Sequence, residues 1–125
     1  MTFLVLDQVI SDRGSRYAVS GGPVVGRAGI DAAMAELKRE KRFAKATHNS
    51  WAAILTEGGV PVPVKNDDGE SGAGTVMLRM LEREGLHDHL IVVTRWYGGT
   101  KLGGDRFRHV TEAVRIYLAA LKAAK

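Results

Sequence analysis

Two stretches of this chain concentrate side chains able to do chemistry. In Arg95-Trp96-Tyr97-Gly98-Gly99-Thr100-Lys101-Leu102-Gly103-Gly104-Asp105-Arg106-Phe107, four glycines within seven residues let backbone amides come close to a ligand. Trp96 and Tyr97 offer stacking faces, and Arg95, Lys101, Arg106 and Arg108 surround them with positive charge, a combination suited to phosphate and base. It is not a P-loop, because Leu102 rather than Ser or Thr follows Lys101, and the glycine spacing does not fit a dinucleotide fold. The structural alternative is that the glycines permit a tight crossover while Trp96 and Tyr97 pack inside. The second stretch, Gly69-Glu70-Ser71-Gly72-Ala73-Gly74-Thr75, opens a helix whose free amides can hold an anion. Ser71 can equally be a simple N-cap, and Asp67, Asp68 and Glu70 repel phosphate unless a cation intervenes. Those three carboxylates have the chemistry for magnesium, yet the spacing of a calcium loop is absent.

An enzymatic reading draws on the same residues. His48 would serve as acid or base, Asp67, Asp68 and Glu70 would hold a metal, and Gly72 to Thr75 with Lys101 would cradle phosphate. Ser50, Ser71 and Thr47 are the nearby hydroxyls, and none stands in a nucleophile motif. His87-Asp88-His89 resembles a metal pair without a third ligand and reads as an exposed turn.

The elements that must position these groups follow from periodicity. Phe3 to Ile10 reads as a strand, Ser11, Asp12 and Gly14 as a turn, and Arg16 to Val19 as a second strand. After a breaker-rich segment, Ile30, Ala33, Met34 and Leu37 recur at helical spacing, predicting a helix from about Ala28 to Phe43. His48 to Leu55 and Val60 to Val64 form a hairpin around Glu57, Gly58 and Gly59, with Pro61 and Pro63 confining the second strand to an edge. Val76, Met77, Met80 and Leu81 mark a helix that Gly85 closes. Leu90 to Thr94 is a strand buried on both faces, and Asp105 is placed to cap a last helix buried through Phe107, Val110, Val114, Tyr117, Leu118 and Leu121. The order is ββαββαβα over residues 1–125, one α+β domain built as a two-layer sandwich.

Composition narrows the function classes. The chain has 125 residues, 45% hydrophobic and 26% charged, which is enough to bury one core. No cysteine is present, so disulfides, thiol catalysis, iron–sulfur clusters and Cys-based zinc sites are excluded. No apolar run approaches the roughly 18 to 20 residues of a spanning helix, so no membrane association is expected and the expected location is the cytoplasm. The net charge of +4 is unevenly spread: residues 1–37 carry −1, 38–48 +4, 49–94 −4 and 95–125 +5. Lys38, Arg39, Lys41, Arg42 and Lys45 form one basic run, and if the fold brings it beside the second run the two make an anion-binding surface. Otherwise the first run merely complements the end of a helix dipole.

Ala46-Thr47-His48-Asn49, Asp67-Asp68-Gly69-Glu70, Val92 to Gly99, Leu102-Gly103 and Asp105-Arg106-Phe107 together resemble the IMPACT/YigZ family, with Ser15-Arg16-Tyr17 as its early Ser-Arg-aromatic element. The Asp-Arg-Phe helix start, and an acidic loop without the proline common in the bacterial form, are more similar to the eukaryotic IMPACT branch. The resemblance implies a fold like domain two of small-subunit ribosomal protein five. It also implies a role in regulating translation, since IMPACT restrains a starvation-activated initiation-factor kinase by competing for its activator. That competition is associated with an RWD domain which, like the second small domain of YigZ proteins, has no counterpart in these residues.

The reading these features favour is a noncatalytic module in translation or its stress control. Its expected partner is RNA, the ribosome or a translation-associated protein. Arg95, Lys101, Arg106 and Arg108 would hold phosphates, Lys41, Arg42 and Lys45 would extend the footprint, and Trp96 or Tyr97 would stack on a base. No cofactor or metal is called for. The alternatives are an enzyme acting on a phosphorylated small molecule or nucleotide, using His48, Asp67, Asp68 and Glu70, and a module that accepts a partner peptide.

Overall fold

The computed structural model describes residues 3–124. Five strands, β1 (Leu4–Asp12), β2 (Ser15–Pro23), β3 (His48–Glu57), β4 (Val60–Asn66) and β5 (His89–Trp96), form one antiparallel sheet in the order β1-β2-β5-β3-β4. Four helices accompany them: α1 (Gly26–Lys38), α2 (Lys41–Ala44), α3 (Ala73–Glu84) and α4 (Asp105–Ala123). Arg13 and Gly14 both have positive φ, as do Gly58 and Gly59, so each hairpin closes through two residues whose left-handed backbone matches the strand twist.

Strand alternation divides the core in two. Tyr17, Val19, Ala52, Ile54, Ile91 and Val93 point to the face covered by α3 and α4, where Met77, Leu81, Val110, Val114 and Tyr117 complete a closed cluster. Ala18, Ala53, Leu55, Leu90 and Val92 point the other way, against Ile30, Ala33 and Leu37 of α1 and Phe43 of α2. The fold is α+β: the sheet with α3 and α4 makes the sandwich that the periodicity suggests, and α1 with α2 covers the opposite face. β5 lies between β2 and β3 and is buried along all but its last residue, as its continuous apolar run requires.

Several elements differ from their sequence reading. The helix expected to run from about Ala28 to Phe43 is two helices, because Glu40 is extended at φ −79° and ψ 118°, and Phe43 is thereby turned into the core from α2. The second strand runs well past Val19, to Pro23, as β5 pairs with it along its whole length. Asp105 does not cap α4. Gly104 holds the N-cap position, and the Asp105 carboxylate instead accepts 2.6 Å from Arg13 Nη2, in the β1–β2 turn. Asp12 joins this network through Arg13 and through His109 Nε2 at 2.7 Å, and these bonds hold its carboxyl far below the ordinary range. The α3 N-cap is Gly72 in a left-handed conformation rather than Ser71. His89, read as part of an exposed turn, is buried, with its Nε2 2.6 Å from the Tyr117 hydroxyl. Gly85 does close α3, with φ +62° and the Leu86 N–H bonded back to the Leu81 carbonyl.

Candidate functional site

The two chemistry-bearing stretches meet at the end of the sheet where β5 finishes. Alternation puts Arg95 on the same face as Ile91 and Val93, so its side chain goes under the glycine-rich loop rather than into solvent, and it is 5% exposed. There its Nη1 donates to both oxygens of Glu70, at 3.1 and 3.2 Å, and Glu70 is itself 3% exposed. Arg95 Nη2 donates to Ser15 Oγ at 3.3 Å, and the same oxygen accepts from the Gly98 N–H at 3.2 Å. Arg106 reaches Glu70 from α4 at 3.4 Å and the Ser71 carbonyl at 3.2 Å. The rings of Tyr17 and Tyr97 lie 5.7 and 5.6 Å from the Arg95 guanidinium. Burial pushes the Tyr17 phenol up to about 12, so it stays neutral beside this pair.

The acidic loop is turned inward in the same way. Asp67 accepts from the backbone N–H groups of Gly72 at 2.9 Å and Gly74 at 2.7 Å. These bonds occupy the α3 amides with the protein's own carboxylate and lower the Asp67 pKa. Asp68 accepts from the Asn49 N–H at 2.7 Å, while its carbonyl lies 2.8 Å from His48 Nδ1. Ser50 Oγ donates to the Asp67 carbonyl at 2.8 Å, and Thr94 Oγ1 donates to Asn49 Oδ1 at 2.7 Å. His48, Asp67, Asp68 and Glu70 therefore do not converge: two carboxylates serve backbone amides, Glu70 serves arginines, and His48 holds the loop backbone. Among the described residues, no three His, Asp or Glu side chains gather as a metal-binding group.

Most of the cations remain outside. Lys41, Lys45, Lys101 and Arg108 are exposed, Arg106 is partly covered, and Tyr97 is 47% exposed. The first basic run is tied to the start of the second, at residues 95–97, by one main-chain and two side-chain hydrogen bonds. The Thr47 N–H donates to the Arg95 carbonyl at 3.0 Å, Thr47 Oγ1 accepts from the Tyr97 N–H at 2.9 Å, and Trp96 Nε1 donates to the Arg42 carbonyl at 3.0 Å. Arg42 lies over the rings of Phe43 and Trp96, at 4.6 and 5.1 Å, and is paired with Asp7. Trp96 is partly buried against Phe43, so Tyr97, half-exposed beside Arg95, is the more open of the two aromatics.

The loop's path depends on backbone proximity. A Cβ on Gly98 would stand 1.9 Å from the Gly14 carbonyl carbon, so the β1–β2 turn and the glycine-rich loop touch main chain to main chain. Sequence reasoning missed Ser15 and Tyr17 as partners of Arg95, and Asp7 as partner of Arg42. The period-two placement of residues 91, 93 and 95 on one face was the available signal for Arg95.

Residues 13–118 match the Impact N-terminal domain family. The chain is 37% identical over 116 residues to the Protein IMPACT homolog of Caenorhabditis elegans, covering 90% of this chain and 45% of that protein. It is 36% identical over 114 residues to Protein IMPACT of Xenopus laevis, covering 90% and 36%. The chain thus spans less than half the length of these curated relatives. Among solved structures, the two-domain translational regulator Yih1 superposes with a TM-score of 0.61 at 29% identity, covering 94% of this chain and 46% of Yih1. A crystal structure of a hypothetical protein matches with a TM-score of 0.69 at 25% identity, covering 92% of this chain and 61% of that one.

Proposed function

The chain belongs to the Impact N-terminal domain family, and on that premise we propose that it is a noncatalytic module of translational control that binds RNA in the cytoplasm. One observation carries this reading. Lys101 and Arg108 are exposed on the loop and helix that follow β5, Arg108 in an ion pair with Asp105 at 3.5 Å, and Lys41 and Lys45 are exposed in and just after α2, whose Arg42 carbonyl is bonded to Trp96; Tyr97 is half-exposed between these segments in the chain, while Asp67, Asp68 and Glu70 turn to backbone amides and to arginines. The carboxyl oxygens of the acidic loop thus have partners within the protein, and Lys41, Lys45 and Lys101 are the exposed cations left to attract a phosphate backbone. Arg95 supports the surface from beneath: its pairing with Glu70 ties the acidic loop to the strand that ends just before Tyr97. The structural likeness to Yih1, a translational regulator, agrees with this class of role. The filled amides at the start of α3 leave the phosphate-handling enzyme without its cradle.

Titration of structured and single-stranded RNA at two salt concentrations tests the proposal. Affinity is expected to fall steeply with salt, and Lys101→Ala with Arg108→Ala to reduce the slope of log K against log salt by about 0.7 to 0.9 for each phosphate that is no longer neutralised. No binding at low salt, or binding unchanged in the double variant, overturns it and points to a protein partner.

A further inference from the structure

On the α1 and α2 side of the same sheet end, Asp7, Gln8, Arg16, Arg42 and Trp96 line a concavity of about 100 Å³. Its walls are held from several directions. The β1–β2 register breaks between Leu6 and Ile10, and within that bulge Gln8 has φ +47°, a conformation a non-glycine residue adopts only under constraint. Bulges of this kind re-aim side chains, and this one sets Asp7 and Gln8 on the wall of the concavity. Asp7 grips the Arg42 guanidinium through both oxygens, at 2.9 and 2.8 Å. Arg42 is packed on Phe43 and Trp96, and the Trp96 N–H is already committed to the Arg42 carbonyl. The indole therefore has a fixed orientation and contributes its ring rather than its donor. Arg16 stands directly across from Trp96 in the β2–β5 register, exposed and with no ion pair among the described residues.

From this arrangement we infer that the concavity is a site for one unpaired nucleobase of a single-stranded RNA, and the inference rests on the RNA-binding reading above. The chemistry selects that occupant. A partly exposed indole with the Arg42 guanidinium layered over its ring extends a planar stack that a flat π-system can join, and the Gln8 amide and Arg16 guanidinium supply donors and an acceptor for a base edge. The Asp7 carboxylate is taken up by the Arg42 guanidinium, so Arg16 is, among the described lining residues, the one cation left to meet the edge of a base or its phosphate. The volume is below the roughly 300 to 1,000 Å³ of pockets that enclose whole drug-sized ligands, which suits one ring with its sugar and phosphate outside. Lys41, in the same short helix as Arg42, and Lys45, immediately after it, are exposed cations available to the backbone of such a strand.

The test uses the full chain, an unstructured RNA oligonucleotide, and an abasic oligonucleotide of the same length and charge. Binding is followed by anisotropy and by tryptophan fluorescence. The base-containing strand is expected to bind about tenfold more tightly and to quench the fluorescence, whereas the abasic strand binds without quenching. Trp96→Phe removes the quenching, since Trp51 reports from elsewhere, and Gln8→Ala with Arg16→Ala abolishes the preference for bases while the abasic strand stays bound. The two side chains in the double variant are exposed, so their loss leaves the fold in place, which a thermal melt verifies. Equal, salt-sensitive binding of both strands overturns the base site and leaves RNA binding standing. Quenching that persists in Trp96→Phe also overturns it, and failure of both strands to bind removes the RNA reading together with the site.

Discussion

Arg95 and Lys101 belong to the same basic run, six residues apart, yet they live in opposite environments. Arg95 is enclosed with Glu70, Ser15 and the tyrosines, while Lys101 stands in water on the loop above. The first charge exists to hold two loops against each other; the second costs nothing to keep and is available to a ligand. A count of cations along a sequence merges these two kinds, and only the direction of each side chain separates them.

Removing the buried charge should have the largest effect. Arg95→Ala leaves the Glu70 carboxyl enclosed without its main partner, and should cost about 3 to 5 kcal/mol in urea-melt stability. Adding Glu70→Gln to that variant should recover part of the loss, because the acidic partner that Arg95 balanced is then gone. A loss below about 1 kcal/mol in the single variant would mean that the pair is not enclosed in solution.

An intermediate effect is expected at Asp67, which is half-buried and bonded to backbone amides rather than to a charge. Asp67→Ala removes a helix-capping acceptor and should cost about 0.5 to 2 kcal/mol. Its pKa lies below the ordinary 3.8 in the folded chain, so its stabilisation is complete above that value and disappears as the pH falls through the folded pKa. Melting temperatures of the parent and Asp67→Asn should therefore differ near pH 6 and converge as the pH drops well below 3.8. A difference that stays constant across that range would place the contribution in something other than the ionised carboxylate.

The smallest stability effect belongs to the exposed end. Lys101→Ala and Arg108→Ala should each leave the urea midpoint within about 0.5 kcal/mol of the parent, whatever they do to RNA affinity. A larger change in either would erase the distinction between holding charges and available charges.

Legibility in the sequence followed the range of the interaction that decided each feature. β5, the Pro-bearing edge strand and the Gly85 helix end were readable because each depends on a few adjacent residues. The break between α1 and α2 was not, since Arg39 and Glu40 are ordinary helix formers and no glycine or proline marks the turn. Asp105 has the right type for a cap but is drawn to Arg13, 92 residues away in the chain. The Glu70–Arg95 pair and the gathering of Asp7, Arg16, Arg42 and Trp96 lie beyond any local pattern, because each joins elements whose proximity is a result of folding.

The strand order carries a consequence for how the chain assembles. β1 with β2 and β3 with β4 can each zip as hairpins through their own two-residue turns, but neither pair is hydrogen-bonded to the other; both are joined only by β5. During synthesis the two halves of the sheet must therefore wait, unsealed, until residues 89–96 have left the ribosome and slid between them. The search for that central slot, spanning most of the chain, is the step expected to set the folding rate.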